Sequence, residues 1–257
     1  MERIVTTNLF DLTGQTAIVT GASSGIGQAI AVALAAAGAR VAGVARSSMN
    51  ETARQVDEAG SSFLAVRADL SSTEPVARIL DETIAWAGRA DILVNNAGII
   101  RRADPLEFSE KDWDDVIDVD LKSVFFLSQA FARRALARGG GAKIVNVASV
   151  LAFTGGIRVP SYTASKHGVA GVTKLLANEW AARGINVNAI APGYVRTDAT
   201  QALQDDPVRN ERLLSRIAAG RWGEPGDIGG AAVFLSSRAA DYCHGTILVV
   251  DGGWLAG

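Results

Sequence analysis

Seven short apolar segments, separated by longer segments of helical character, constrain the fold of this chain more than any other feature of its sequence. The apolar segments cover residues 17–19, 41–44, 63–66, 92–94, 143–147, 185–190 and 247–250. Helices are predicted between them over residues 26–37, 51–59, 75–86, 111–136, 161–182, 208–216 and 227–235. The apolar segments are continuous rather than alternating, which is typical of strands that are covered on both faces. The pattern therefore predicts an α/β fold, a doubly wound seven-stranded parallel sheet with helices on both faces.

Nothing in the sequence divides the chain. No Pro/Ser-rich linker, charged block or internal repeat interrupts the 257 residues, so we expect one domain over residues 1–257. The formal net charge of −2, from 25 basic and 27 acidic residues, argues against binding to nucleic acid. The longest apolar run, residues 29–39, is too short to span a bilayer, and residues 1–8 lack an apolar leader. The only cysteine, Cys243, cannot form an internal disulfide, and we expect a cytoplasmic protein.

A glycine-rich segment directly follows the first predicted strand and opens the first predicted helix. It reads Thr-Gly-Ala-Ser-Ser-Gly-Ile-Gly over residues 20–27. Glycines let a ligand approach the backbone closely, and the N–H groups at the start of a helix are free to bind phosphate. The segment predicts a pyrophosphate site formed by Gly21, Ser23, Ser24, Gly25, Ile26 and Gly27. Because the spacing differs from the commoner Gly-x-Gly-x-x-Gly, an ordinary glycine-rich turn is the alternative.

The end of the second predicted strand indicates which dinucleotide is bound. Residues 45–48 read Ala-Arg-Ser-Ser, without the acid that holds the ribose 2′-hydroxyl of NAD. Arg46 and Ser47 offer a guanidinium and a hydroxyl to a 2′-phosphate, which favours NADP, with NAD as the alternative. An exposed loop arginine without a ligand is the competing interpretation of Arg46. Turn residues after the third and fourth strands are expected to contact the adenine and ribose of the cofactor: Asp69, Leu70, Asn95, Asn96, Ala97 and Gly98.

Three residues form the strongest catalytic candidate. Tyr162 and Lys166 are four positions apart on one face of a predicted helix, and Ser149 follows the fifth predicted strand. An ammonium close to the phenol is expected to lower the pKa of Tyr162 toward neutrality. The Ser149 hydroxyl can bind the same substrate oxygen and stabilise its developing charge. Tyr-x-x-x-Lys alone occurs by chance in many helices, but its place behind the glycine-rich segment and Ser149 predicts acid/base catalysis.

In these motifs the chain resembles the short-chain dehydrogenase/reductase family along its whole length. The matching residues, in family order, are residues 20–27, Asp69, residues 95–98, Ser149, Tyr162, Lys166, Pro192 and Gly193. The resemblance implies a Rossmann fold and nicotinamide chemistry, with Tyr162 as the acid/base, Ser149 polarising the carbonyl, and Lys166 lowering the phenol pKa and binding the nicotinamide ribose. It also implies that the two long helices and the carboxyl terminus form a homotetramer. Contacts to the nicotinamide carboxamide are implied for Pro192, Gly193, Val195 and Thr197.

One position departs from the family pattern. The family has an asparagine in the fourth helix, whose backbone carbonyl holds a water of the proton relay, and here that position is Asp120. A backbone group survives a change of side chain, so catalysis need not be lost. The Asp120 carboxylate is expected either to lie near Lys166 and shift the pH profile, or to be an exposed residue on the helix surface.

A narrower resemblance is to the gluconate-type branch of the family, which includes 2-deoxy-D-gluconate 3-dehydrogenases and 2-dehydro-3-deoxy-D-gluconate 5-dehydrogenases. It rests on residues 99–102, 108–116, 155–162, 219–223 and 251–255. It implies an oxidoreductase that interconverts a secondary alcohol and a ketone on a sugar acid. Arg101, Arg102 and Arg158 lie in loops beside the predicted site, where a guanidinium is suited to hold the substrate carboxylate. Exposed loop arginines are the competing interpretation.

Other activities fit the same motifs. Reduction of a 3-oxoacyl thioester, or of a neutral polyol or ketone, is the enzymatic alternative, and a catalytically silent NADP-binding scaffold is the alternative of another class. His167 and His244 have no partner residues at ligand spacing, so no metal site is predicted.

Overall fold

The computed structural model describes residues 9–257, and residues 1–8, where the sequence shows no apolar leader, lie outside this description. The strands are β1 (Thr16–Thr20), β2 (Arg40–Ala45), β3 (Phe63–Arg67), β4 (Ile92–Asn95), β5 (Ala142–Val147), β6 (Ile185–Pro192) and β7 (Ile247–Val250). The helices are α1 (Gly25–Ala36), α2 (Asn50–Glu58), α3 (Val76–Ala87), α4 (Glu110–Ile117), α5 (Ser123–Ala137), α6 (Pro160–Trp180), α7 (Gln201–Gln204), α8 (Pro207–Leu214) and α9 (Gly226–Ser236). Every predicted strand is present, within two residues of its predicted ends.

The strands within residues 9–257 form one parallel sheet in the order β3-β2-β1-β4-β5-β6-β7. After β3 the chain crosses to the other side of β1 to begin β4. In open sheets of this kind a ligand crevice forms where the strand order reverses, outside the carboxyl ends of the strands. The predicted doubly wound parallel sheet is confirmed, and the loops after β1 and β4 flank this crevice.

Helices cover both faces of the sheet, which explains why the strands are apolar without alternation. On one face, Ile30 of α1 and Ile228 of α9 pack with Val19 of β1. On the other face, Ile79 of α3 and Leu127 of α5 belong to a second core with Ile18, the neighbour of Val19. Successive residues of β1 thus enter different cores, as the two-residue period of a strand requires.

The predicted helix over residues 111–136 is confirmed, and it contains a π-helical turn. Helix α4 begins after Ser109, whose hydroxyl accepts the N–H of Asp112, and it gives way to a π-helical segment, Asp118–Lys122, before α5 begins. A π-helical turn adds a residue to the helix and often occurs at functional sites. Here the segment carries Asp120 into the interior. No helix of residues 9–257 is both long and apolar enough to cross a membrane.

Candidate active site

A cleft of about 420 Å³ opens at the carboxyl edge of the sheet, across the point where the strand order reverses. It brings together the residues that the sequence assigned to the cofactor from five separate loops. Those that line it are Gly21, Ser23, Ser24, Gly25, Ile26, Gly27, Arg46, Ser47, Asp69, Leu70, Asn96, Ala97, Gly98, Ser149, Tyr162, Lys166, Pro192, Gly193, Val195 and Thr197. The candidate catalytic side chains and the glycine-rich loop therefore face one space.

The glycine-rich loop is shaped as a phosphate cradle. Gly21 and Gly25 have φ values of +67° and +56°, and a Cβ on Gly27 would lie only 2.2 Å from the carbonyl oxygen of Gly21. These positions exclude a side chain for reasons of backbone geometry and space. Ser24 precedes α1 without giving it a side-chain cap, so the N–H groups of the first turn stay available to a ligand. The loop fits a dinucleotide pyrophosphate at the start of α1.

Arg46 and Asp69 lie at another part of the cleft. The guanidinium Nη1 is 3.6 Å from the carboxylate Oδ2, and both side chains are more than half exposed. The N–H of Ser71 donates to Asp69 and, with the charge of Arg46, holds the pKa of that carboxyl below its usual value. Because an exposed ion pair at this distance is weak, Arg46 is available to a phosphate. The geometry is compatible with the predicted contact to a 2′-phosphate.

Asn95 does not face the cleft, in contrast to its predicted place beside the cofactor. Its side chain is buried and donates to the hydroxyl of Ser128 at 3.0 Å and to Oδ1 of Asn146 at 2.8 Å. Asn96 faces the cleft instead, and its side chain donates to the carbonyl of Thr20 at the start of the glycine-rich loop. Asn95 ties β4 to β5 and α5, whereas Asn96 fixes the loop.

Ser149, Tyr162 and Lys166 meet at the cleft. The Nζ atom of Lys166 lies 5.2 Å from the ring centroid of Tyr162 and donates to the carbonyl of Val147 at 3.1 Å. Ser149 follows β5, and its hydroxyl accepts the N–H of Leu151 at 3.1 Å. Helix α6 supplies the tyrosine and the lysine one turn apart, and β5 supplies the serine. The arrangement places an acid/base and a hydrogen-bond donor beside one ammonium.

Burial is the largest influence on Tyr162 and raises the pKa of its phenol above the ordinary value. The Lys166 ammonium lowers this pKa, the Asp120 carboxylate raises it, and the Ser149 hydroxyl and Arg102 lower it slightly. The expectation of ionisation near neutrality is therefore wrong for this structure. It gave desolvation too little weight and did not include the charge of Asp120.

Asp120 is completely buried next to Lys166, so the alternative of an exposed helix residue is wrong. Its Oδ1 accepts the N–H of Ile99 at 2.8 Å, and its Oδ2 lies 3.4 Å from Lys166 Nζ. Burial raises the pKa of the Asp120 carboxyl, and the ammonium of Lys166 opposes that rise. Burial also acts to lower the pKa of Lys166, but the charge of Asp120 and the phenol of Tyr162 outweigh it and raise that pKa.

The three substrate arginines have different surroundings. Arg101 pairs with α4, its Nε 3.3 Å from Asp112 and its Nη2 3.4 Å from Asp115, and it does not line the cleft. Arg102 donates to the carbonyl of Ala199 at 2.9 Å and is close enough to Tyr162 to lower the pKa of the phenol. Arg158 is the single non-glycine residue of the described chain with a positive φ, +63°, and its carbonyl accepts the N–H of Ala103.

The sequence analysis did not identify part of the cleft wall. Asp198, Ala199 and Thr200 line it from a short turn before α7, and Val119 lines it from the π-helical segment. The short Thr-Asp-Ala-Thr stretch carries no signal of its own beyond its position after β6. Nor do residues 9–257 contain three or more His, Cys, Asp or Glu side chains grouped as a metal site.

The parallel sheet, the phosphate cradle and the Ser149, Tyr162 and Lys166 set define a nicotinamide-dependent oxidoreductase. A family model described as enoyl-(acyl carrier protein) reductase matches residues 21–255. The chain belongs to the short-chain dehydrogenase/reductase family, whose members use NAD or NADP.

Proteins named for an enzymatic activity match almost the whole chain. It is 56% identical to a 2-dehydro-3-deoxy-D-gluconate 5-dehydrogenase of Escherichia coli (strain K12), over 96% of this chain and 98% of the relative. A structure from Agrobacterium tumefaciens with bound NADP, provisionally described as a 2-deoxy-D-gluconate 3-dehydrogenase, superposes with a TM-score of 0.92 at 61% identity, covering 97% of this chain and all of that one. A gluconate 5-dehydrogenase from Burkholderia cenocepacia J2315, in complex with NADP and tartrate, has a TM-score of 0.92 at 38% identity, covering 98% and 99%.

Proposed function

We propose that the protein is an NADP-dependent oxidoreductase that interconverts a secondary alcohol and a ketone on a sugar acid of the gluconate type. The observation that carries the proposal is that Ser149, Tyr162 and Lys166 share one cleft with the glycine-rich loop and Arg46. The relatives are named as gluconate-type dehydrogenases, which supports the choice of a sugar acid.

Each catalytic side chain has one task in this proposal. In oxidation Tyr162 accepts the proton of the substrate hydroxyl, and in reduction it donates that proton to the carbonyl oxygen. Ser149 donates a hydrogen bond to the same oxygen, and the ammonium of Lys166 stabilises the phenolate, which accepts the proton in oxidation and is left behind in reduction. NADP, when bound, supplies the hydride acceptor or donor. The raised pKa of Tyr162 keeps the phenol protonated at neutral pH, which suits it to act as the acid in ketone reduction.

The choice of NADP rests on the loop after β2. Arg46 and Ser47 line the cleft where the 2′-phosphate is expected, and no carboxylate follows Ala45 there. The relatives from A. tumefaciens and B. cenocepacia were both crystallised with NADP. Asp69, Leu70, Asn96, Ala97 and Gly98 contact the adenosine part in this proposal, and Pro192, Gly193, Val195 and Thr197 contact the nicotinamide.

The proposal extends to a single domain over residues 1–257 that works in the cytoplasm as a homotetramer. Apolar side chains that are more than one-third exposed on the long helices support the assembly: Trp113 on α4, Phe126 on α5 and Leu175 on α6. Strand β7 is an edge strand with Val249 exposed, so it offers a second contact surface. Sedimentation equilibrium should give four times the chain mass, and a monomer would contradict this part of the proposal.

A substrate panel with both cofactors tests the function. The purified protein should oxidise 2-dehydro-3-deoxy-D-gluconate or D-gluconate, with a higher kcat/KM for NADP than for NAD. A higher kcat/KM for a 3-oxoacyl thioester or for a neutral polyol would show that the substrate is not a sugar acid. Cofactor binding without turnover of any carbonyl or alcohol would instead favour a silent scaffold.

A further inference from the structure

A small apolar core lies at the carboxyl edge of the sheet, apart from the two large cores between the sheet and its helices. Its buried members are Val150, Ile217 and Trp254, and the side chains packed against them are Tyr194, Leu213 and Leu255. These residues come from the segments that follow β5, β6 and β7, and from α8 and the residues just after it. None of the six lines the cleft, so this small core acts on the reaction only through residues that it holds in place.

The small core meets the catalytic machinery at Ser149. Val150 directly follows Ser149 and begins a short 3-10 turn, Val150–Ala152, in which the Ser149 hydroxyl accepts the N–H of Leu151 at 3.1 Å. Because the oxygen accepts from Leu151, the proton of the hydroxyl stays free to be donated to a substrate oxygen. The direction of that donation depends on the orientation of the turn, and burial of the Val150 side chain in the small core fixes this orientation.

Trp254 is the largest side chain of the small core and has an aromatic and a charged neighbour. The Tyr194 ring packs edge-on against it, with ring centroids 4.6 Å apart, and the guanidinium of Arg216 lies 3.9 Å from the centroid of its ring. Both kinds of contact depend on the orientation of the ring. Tyr194 follows β6 and Arg216 follows α8, so the indole joins these two segments.

The turn that carries Trp254 is itself firmly attached. Asp251 follows β7, and its two carboxylate oxygens accept the N–H groups of Gly253 and Leu255 at 2.8 Å each. A Cβ on Gly193 would lie 2.6 Å from the Cα of Asp251, so this turn packs directly on the loop after β6, which lines the cleft. Trp254 therefore has a defined position relative to the cleft wall.

We propose that Trp254 is a positioning residue for the reaction: its indole, through the small core, fixes Val150 and so aims the hydroxyl of Ser149 at the reacting oxygen. The inference rests on the proposed function, because it takes the hydrogen bond from Ser149 as part of catalysis. A smaller side chain at position 254 leaves a gap in the small core, and the turn at Ser149 loses support. An aromatic residue outside the cleft thereby helps to set kcat.

A double-mutant cycle with Ser149 tests this, with kcat measured for D-gluconate or 2-dehydro-3-deoxy-D-gluconate at saturating NADP. Ser149→Ala should lower kcat by about 10²- to 10³-fold, as expected for loss of a donor to the reacting oxygen. Trp254→Leu should lower kcat by about 10- to 100-fold and change KM by less than about threefold, because a misplaced donor weakens the transition state more than the bound substrate. In the Ser149→Ala background the same replacement should lower kcat by less than about threefold, since no hydrogen bond is left to misplace.

Trp86→Leu is the matched control, because Trp86 on α3 also has a guanidinium over its ring, that of Arg40 at 5.8 Å, and does not line the cleft. It should lower the free energy of unfolding, measured by urea denaturation, and leave kcat within about threefold of the wild type. Val150→Ala loosens the small core from the side of the serine and should repeat the result of Trp254→Leu. It decides the question if Trp254→Leu does not fold.

The proposal is overturned if Trp254→Leu and Val150→Ala keep the wild-type kcat, or if they lower it by the same factor with and without the Ser149 hydroxyl. A loss of kcat in Trp86→Leu as large as that in Trp254→Leu would also overturn it, since the effect would then be general destabilisation. Ser149→Ala with the wild-type kcat is a distinguishable result, because it would refute the role of Ser149 in the proposed function and the present proposal with it.

Discussion

Lys166 is held between two groups that can carry negative charge, the phenol of Tyr162 and the carboxylate of Asp120. The Oδ2 atom of Asp120 lies 3.4 Å from Lys166 Nζ, and the Asp120 side chain is completely buried. Space for it depends on Gly98, where a Cβ would lie 3.0 Å from the same Oδ2. Asp120 thus keeps Lys166 charged and at the same time makes the phenol harder to ionise.

Asp120→Asn should therefore move the pH profile of alcohol oxidation to lower pH at both limbs. Oxidation needs the phenolate, and loss of the carboxylate lowers the pKa of Tyr162, which shifts the acidic limb down. Loss of the same charge leaves the burial of Lys166 opposed only by the phenol of Tyr162 and lowers the pKa of Lys166, which shifts the alkaline limb down. The maximal kcat should stay within about 100-fold of the wild type, because the acid/base itself is intact.

The matched control is Asp118→Asn in the same π-helical segment. Asp118 pairs with Lys122 at the surface, so its loss should leave the profile unmoved. An Asp120→Asn profile that coincides with the wild type would show that the carboxylate does not act on Lys166 or Tyr162. The measurement is kcat/KM for the alcohol between about pH 7 and 11.5, since both pKa values lie above their ordinary values in the wild type.

Arg46→Ala should weaken NADP far more than NAD, since only NADP carries the 2′-phosphate. Loss of one charge-assisted contact is worth about 1.5–3 kcal/mol, or about 10- to 150-fold in affinity. Arg54→Ala on α2 is the control, because that guanidinium is already paired with Glu51 and Glu58. Fluorescence titration with both cofactors measures the effect, and equal small changes for NADP and NAD would make Arg46 a bystander.

At the level of single residues, the sequence predicted those whose role depends on the local chain and missed those whose role depends on packing. Tyr162 and Lys166 share a face because a helix has a fixed period, and the loop glycines are required by a local turn. Whether Asp120 is buried, or whether Arg101 meets Asp112 and Asp115, depends on how α4 and the loop after β4 come together. No spacing along the chain encodes that approach.

At the level of elements, the strands were predictable because each is a continuous apolar run, and all but the edge strands β3 and β7 are buried on both faces. The helix predicted over residues 111–136 is present, but its π-helical turn was not predicted, because the sequence of that turn is as helical in pattern as its flanks. The short α7 was not predicted either, because four residues are too few to show a period.

The amino ends of the strands are held by a buried carboxylate. Asp91, just before β4, is 2% exposed and accepts the N–H of Thr16 and hydrogen bonds from Arg89 and Arg138. Asp91→Ala leaves the N–H of Thr16 without its acceptor and both guanidiniums without a carboxylate, so the free energy of unfolding should fall by about 3 kcal/mol or more. Urea denaturation monitored by circular dichroism measures this fall.

Asp81→Ala is the comparison, because Asp81 and its partner Arg134 are both largely exposed. That change should cost less than about 1 kcal/mol. A similar small cost for Asp91→Ala would show that the buried cluster does not hold the sheet together. NADP binding should survive both changes, since the cluster lies at the edge opposite the cleft.

At the scale of the whole molecule, the fold assigns structure and chemistry to opposite edges of one sheet. Six loops at the carboxyl edge, those after β1 to β6, supply the cleft, and the two cores beneath it fix their positions. The strand order reverses where the chain passes from β3 to β4 on the other side of β1, and this reversal opens the crevice in which a dinucleotide fits.

Replacement of Tyr162 by Phe tests the central claim most directly, because it removes only the hydroxyl that transfers the proton. With a sugar acid that the wild type turns over, kcat should fall by about 10²- to 10⁴-fold, the usual contribution of general acid/base catalysis. The affinity for NADP, measured by fluorescence titration of the same sample, should stay within about threefold. A variant that binds NADP normally and keeps more than about a tenth of the wild-type kcat would contradict the account.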